Sequence, residues 1–121
     1  MGANEDLGLP RDKMKKIVIA FDIDGTLRCN CTDTCRDPNY NIIALAAILD
    51  TMKNTHLIAW SGGGAKYAQN FIDSNEQLRH IFKQRCFTKI GYNSMYGQPD
   101  IAIDDIQDTA LGKINLIVRE K

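Results

Sequence analysis

The chain has 121 residues, of which 44% are hydrophobic and 25% charged, a balance typical of a globular domain with one core. Fifteen basic and fifteen acidic residues give a formal net charge of zero, so bulk charge gives no argument for a nucleic-acid or membrane partner. No apolar run approaches the roughly 20 residues needed to cross a bilayer, and the polar start lacks the apolar stretch of a secretory signal. We expect a cytoplasmic protein with no membrane partner, in which residues 1–14 form a flexible tail and residues 15–121 a single domain.

The hydrophobic pattern predicts strands that alternate with helices. Apolar residues at helical spacing run from Asn41 to about Asn54, and again over residues 65–82. The short apolar runs that predict strands are Ile17–Phe21, Leu57–Trp60, Cys86–Ile90, Ile101–Ile103 and Ile114–Val118. This alternation, with mostly short turns, predicts a three-layer, Rossmann-like α/β fold in which helices flank a central parallel sheet.

Polar side chains follow three of the predicted strands at the point where each strand ends. They are Asp22 and Asp24 after the first strand, Ser61 after the second, and Asp104 and Asp105 after a later one. In open parallel sheets, ligands bind in the crevice at the carboxyl ends of the strands. We therefore expect these side chains to meet in one site.

The spacing of Asp22 and Asp24 predicts a phosphate site that depends on a metal ion. Residues two apart in extended chain point to the same face, so both carboxylates can address one ligand. Two like charges this close need a shared proton or a cation, and together with Asp104 they favour Mg²⁺. One aspartate could then attack phosphorus, while the other protonates the leaving oxygen and later activates water. Gly25 permits the sharp turn that keeps the backbone close to the phosphate.

The end of the second strand predicts an anion site. Ser61 offers a hydroxyl, and the glycines after it, beginning with Gly62, expose backbone N–H groups at the start of a helix. A lysine is needed to balance the remaining negative charge, and Lys89 is the best placed, although Lys66 or Lys83 could take its role. Purely structural interpretations stay open, in which the serine and the later acidic pair only cap helices.

These segments, in chain order, resemble the four motifs of the haloacid dehalogenase (HAD) superfamily: FDIDGT, a strand ending at Ser61, Lys89, and IAIDD. The resemblance covers residues 17–118, and its DxDGT motif is highly specific. It implies that Asp22 is the nucleophile and Asp24 the general acid and base. The implied phosphate ligands are Ser61, Gly62 and Lys89, and the implied Mg²⁺ ligands are Asp22, the main-chain carbonyl of Asp24 and Asp104, supported by Asp105 or Asp108.

The resemblance also predicts the reaction and the shape of the site. Phosphatases of this superfamily carry an aspartate at the position of Asp24, whereas dehalogenases do not, so we expect a phosphatase that forms an aspartyl-phosphate. The short segments between the motifs imply a member with no cap domain and an open site. Such a site would admit a phosphorylated small molecule or a large substrate such as a nucleic-acid 3′-phosphate end. A second subunit of a homo-oligomer could supply a lid.

Two other functions compete with the phosphatase. A phosphoacceptor receiver domain uses similar Mg²⁺ chemistry, but its acidic pair comes first in the chain, whereas here the pair Asp104-Asp105 comes last. A non-catalytic or regulatory HAD-like phosphate-binding protein would keep the same residues. The four cysteines are Cys29, Cys31, Cys35 and Cys86. Reduced thiols are the first expectation without a secretory signal, and a metal site or a disulfide stays open.

Overall fold

The computed structural model describes residues 16–29, 37–106 and 111–119. The five strands are β1 (Ile17–Asp22), β2 (Thr55–Ser61), β3 (Cys86–Thr88), β4 (Ile101–Asp104) and β5 (Ile114–Ile117). The four helices are α1 (Tyr40–Asp50), α2 (Ala65–Asp73), α3 (Glu76–Phe82) and α4 (Lys89–Tyr96). The predicted tail of residues 1–14, together with Cys31, Cys35 and Asp108, lies outside the described residues.

All five strands are parallel, and their order across the sheet is β3-β2-β1-β4-β5. The chain adds β2 and β3 on one side of β1 and then crosses over to add β4 and β5 on the other. The crevice of an open α/β sheet forms where the strand order reverses in this way. The carboxyl ends of β1 and β4 flank that point.

The sheet is the middle of three layers, which confirms the predicted Rossmann-like α/β architecture. Ile19 and Phe21 pack with apolar residues of α1, α2 and α3, while Val18 and Ala20 pack on the other face with Tyr92 of α4. Successive strand residues point to opposite faces, so β1 must be apolar at every position when both faces are covered. That requirement accounts for the continuous apolar run before the first aspartate.

The boundaries of several elements differ from the prediction. The first helix ends at Asp50 and a turn, not a helix, leads to Asn54. The helical pattern over residues 65–82 belongs to two helices, separated where Asn75 caps the second by accepting the backbone N–H of Leu78. These differences leave the strand ends, and therefore the predicted site, in place.

The prediction of a strand over Cys86–Ile90 is wrong in its second half. The strand ends at Thr88, and α4 begins at Lys89. The Thr88 hydroxyl accepts the backbone N–H of Gly91 at 2.8 Å, so it serves as the helix N-cap. Lys89 therefore lies in the first turn of a helix.

Among the described residues, α1 is the only regular element between β1 and β2, and α2 and α3 are the only ones between β2 and β3. This part of the chain thus contains no cap domain. None of the described helices combines the length and the apolar character that crossing a membrane requires.

Candidate functional site

Two aspartates end the adjacent central strands and share a lysine. Asp22 is the last residue of β1 and Asp104 the last of β4, and they are only 6% and 2% exposed. The Lys89 Nζ lies 3.2 Å from Asp22 Oδ1 and 2.8 Å from Asp104 Oδ2. The structure thus brings together three residues predicted from separate motifs. Of the three candidate lysines, only Lys89 lines the cleft beside these aspartates; Lys66 and Lys83 do not.

A third carboxylate completes what we call the acidic cluster, formed by Asp22, Asp104 and Asp105. One carboxylate oxygen from each lies within 4.8 Å of the other two. Hard oxygen ligands in this number, with one side open for water or phosphate, suit Mg²⁺. The three carboxylates therefore fit the predicted ion. Lys89 already balances part of their negative charge. The predicted role of the Asp24 main-chain carbonyl stays a prediction. Asp108 lies outside the described residues, so its predicted role stays a prediction as well.

Gly25 allows Asp105 to reach the cluster. The backbone of Gly25 has a φ of +81°, in the left-handed region that favours glycine. A Cβ at this position would lie 2.1 Å from Asp105 Oδ2. The glycine of the DGT sequence therefore has a second role beside the turn, because only its missing side chain leaves room for this carboxylate.

Burial shifts the protonation of the cluster. Desolvation, followed by the nearby charge of Asp104, raises the pKa of Asp22 from its ordinary 3.8 to about 7, although Lys89 opposes the shift. Burial and contact with Asp104 also raise the pKa of Asp105. Burial alone would lower the pKa of Lys89, but its bond to Asp104 and the charge of Asp22 outweigh this and raise it. A bound cation would favour the ionised carboxylates.

The loop after β2 supplies the predicted hydroxyl and backbone amides. Ser61 is buried at the strand end, and its Oγ accepts the backbone N–H of Gly63 at 2.9 Å, which leaves the hydroxyl proton to be donated to a ligand. Ser61 does not cap α2, because the N-cap position is Gly64. The loop, two members of the acidic cluster (Asp22 and Asp105) and Lys89 border a cleft of about 290 Å³. Its lining residues are Asp22, Asp24, Ser61, Gly62, Gly63, Lys89, Asp105 and Ile106.

Asp24 lies at the rim of this cleft, with its side chain 54% exposed. Its Oδ1 accepts two hydrogen bonds, one from the Tyr67 hydroxyl at 2.7 Å and one from Arg28 Nη1 at 3.1 Å. Arg28 Nη1 also donates to the Tyr67 hydroxyl. We call Asp24, Arg28 and Tyr67 the rim triad.

The sequence interpretation missed Arg28 and Tyr67. Arg28 carried a weak signal, being a basic residue four positions after an aspartate. Tyr67 carried none, because its contact depends on how α2 packs beside the turn after β1. That turn is held by backbone bonds from Leu27 to the Asp22 carbonyl and from Arg28 to the Ile23 carbonyl. It therefore fixes where the arginine side chain starts.

No protein-family model matches the chain, and neither the curated proteins nor the solved structures yield a match. The fold and the site geometry define a parallel α/β protein with an acidic cleft at the point where the strand order reverses. Membership of the HAD superfamily stays a prediction that depends on the four sequence segments.

Proposed function

We propose that this chain is a Mg²⁺-dependent phosphomonoester hydrolase that works through an aspartyl-phosphate on Asp22. The observation that carries the proposal is the acidic cluster, paired with Lys89 at 3.2 Å and 2.8 Å beside the buried Ser61 hydroxyl. An anion and a hard cation could bind side by side there. This combination of groups suits the transfer of a phosphoryl group better than acid–base chemistry on an uncharged substrate.

Each group has a distinct part in binding. Bound Mg²⁺ would be held by the acidic cluster and would offset the charge of both the carboxylates and the phosphate. The Ser61 hydroxyl donates a hydrogen bond to a phosphate oxygen. The backbone of Gly62 borders the cleft next to it. Lys89 balances negative charge in the same cleft, and its contact with Asp22 keeps that carboxylate oriented.

The reaction proceeds in two steps. An oxygen of ionised Asp22 bonds to phosphorus as the ester P–O bond breaks, and Asp24 passes its proton to the leaving oxygen. Asp24, now ionised, takes a proton from a water molecule that attacks the same phosphorus. The bond between phosphorus and Asp22 then breaks, which releases inorganic phosphate and restores both aspartates.

The exposed rim supports a substrate that extends beyond the phosphate. The acidic cluster is mostly buried, whereas Asp24, Gly62 and Gly63 are exposed, so the ester side of a bound phosphate would face solvent. We propose a phosphorylated small molecule or a nucleic-acid 3′-phosphate end in the cytoplasm as substrate, and a second copy of the chain as the candidate lid.

The test is release of phosphate from p-nitrophenyl phosphate with Mg²⁺ and with EDTA. Wild type should release phosphate only with Mg²⁺, and Asp22→Asn should lower the rate by about a thousandfold or more, because it removes the nucleophile. Asp73→Asn, an exposed aspartate of α2 outside the cleft, is the matched control and should retain the wild-type rate.

A substrate panel separates the remaining alternatives. The panel contains a 3′-phosphorylated oligonucleotide, a nucleotide, a sugar phosphate and a phosphopeptide. A preference for the oligonucleotide supports the nucleic-acid end, and equal weak rates on all four argue against it. Folded protein that binds phosphate with Mg²⁺ but hydrolyses none of these esters would favour the non-catalytic phosphate-binding protein.

A further inference from the structure

We infer that Tyr67 and Arg28 are positioning residues for Asp24, and that they fix one of its oxygens so that the other serves the leaving group. This inference rests on the proposed phosphatase function. It gives a role to Tyr67 and Arg28, which lie outside the four sequence motifs. Both bonds to Asp24 end on the same atom, Oδ1. Among the described residues, Oδ2 receives no hydrogen bond, and it is the oxygen left to exchange a proton within the cleft.

The position of Tyr67 is set by packing as well as by its hydroxyl. Its ring lies against the glycine loop, where a Cβ on Gly63 would be 3.6 Å from the ring carbon Cδ2. The ring therefore connects the loop that borders the phosphate side of the cleft to the acid on the ester side. An exposed carboxylate without such contacts would sample several rotamers, each with a different distance to the reacting oxygen.

Arg28 supplies the second fixed point. Its side chain is only 13% exposed, and its backbone donates to Ile23 and forms an isolated antiparallel bridge with Pro38. The guanidinium donates from one nitrogen to both Oδ1 and the Tyr67 hydroxyl, so the triad is closed. A closed set of three bonds restricts the carboxylate more than either donor alone.

The leaving group gives a readout that a purely structural role would not change. An aryl phosphate releases a stable phenolate that needs little protonation, whereas an alkyl phosphate releases an alkoxide that needs a proton from Asp24. Loss of positioning should therefore lower kcat/KM, which reports on the first irreversible step, more for the alkyl ester than for the aryl ester. A general loss of fold would lower both by the same factor.

The experiment compares ethyl phosphate with p-nitrophenyl phosphate, each with Mg²⁺. Tyr67→Phe keeps the ring and removes the hydroxyl, and it should lower kcat/KM about tenfold for ethyl phosphate and less than about twofold for p-nitrophenyl phosphate. Arg28→Met should shift the same ratio in the same direction, and Arg28→Lys should restore part of it. Tyr40→Phe, on an exposed tyrosine at the start of α1, is the matched control and should leave the ratio unchanged.

The outcomes separate this inference from the function on which it rests. Equal losses on both esters, or no loss, in folded Tyr67→Phe would overturn the positioning role while wild-type turnover leaves the phosphatase intact. No release of phosphate by wild type from either ester, or from any ester of the substrate panel, would overturn the phosphatase and the positioning role with it. Should Tyr67→Phe fail to fold, Arg28→Met decides by the same ratio.

Discussion

The acidic cluster and the rim triad hold their carboxylates in different ways. Asp22 and Asp104 lie in the protein interior, where their charges are costly without Lys89. Asp24 is 54% exposed, and water can solvate it whether or not its partners are present. Removal of one member of a charge pair should therefore cost much stability in the cluster, whereas at the rim it should mainly affect the orientation of Asp24. Substitutions should separate these two contributions.

The largest effect should come from Lys89→Met. It leaves two buried carboxylates facing each other without a cation, and should lower the free energy of unfolding by about 3–5 kcal/mol in metal-free protein. The measurement is urea unfolding at pH 8, above the raised pKa of Asp22, where this carboxyl is ionised in the folded chain. Added Mg²⁺ should restore part of the loss.

Lys113→Met is the matched control for this substitution. Lys113 also pairs with an aspartate, but its Nζ is 3.7 Å from Asp100 Oδ1 and its side chain is 63% exposed. Its loss should be within about 0.5 kcal/mol. Equal losses for the two lysines would contradict the special cost assigned to the cluster.

A second effect follows from the raised pKa of Asp22. Because the folded chain holds this proton up to about pH 7 and the unfolded chain loses it near 3.8, the folded state binds more protons between those values. The contribution of Asp22 to the free energy of unfolding is therefore fully present below about pH 4 and is lost as the pH rises through about 7. Between pH 5 and pH 8 the free energy of unfolding should fall by roughly 2–3 kcal/mol.

Asp22→Asn tests that slope directly. The amide cannot ionise, so the fall in stability between pH 5 and pH 8 should shrink by that amount in metal-free protein. Added Mg²⁺ should flatten the wild-type slope, since it favours the ionised form. A variant with the unchanged wild-type slope would show that another group causes it.

A third, smaller effect concerns Gly25. Gly25→Ala adds strain at a positive φ and pushes against Asp105, so we expect a loss of about 2 kcal/mol and weaker Mg²⁺ binding. Gly97→Ala, at a φ of +84° with open space around the Cβ position, should lose only about 1 kcal/mol from strain. Calorimetry and Mg²⁺ titration of both variants give the comparison. Equal losses and equal Mg²⁺ affinities would argue against the contact with Asp105.

The residues at the strand ends could be predicted from the sequence, whereas the helix that carries Lys89 could not. Asp22, Ser61 and Asp104 were predictable because continuous apolar runs mark buried parallel strands, and a polar residue after such a run must lie at the carboxyl edge. Lys89 lines the cleft, but it lies on a helix and not on the strand that the sequence predicts. Its helix was not predicted, because only Tyr92 of α4 is buried and the apolar spacing is therefore weak.

The rim triad was beyond prediction for a physical reason. The contact of Tyr67 with Asp24 joins residues 43 positions apart, and it depends on the packing of α2 against the sheet. Strand-end chemistry is set by local chain direction, whereas contacts between a helix and a loop are set by the packing of the whole layer. Sequence patterns report on the former and carry little information on the latter.

The smallest expected effect tests whether the helix that carries Lys89 matters to the cleft. Thr88→Val removes the hydroxyl that caps α4 and keeps the branched side chain, so we expect a loss of about 1 kcal/mol. Asn75→Ala removes the corresponding cap of α3, outside the cleft, and should cost a similar amount. Because Lys89 lies in the first turn of α4, only Thr88→Val should also lower kcat/KM, by about threefold. Equal kcat/KM in the two variants would mean that the bonds to Asp22 and Asp104 hold the lysine without help from its helix.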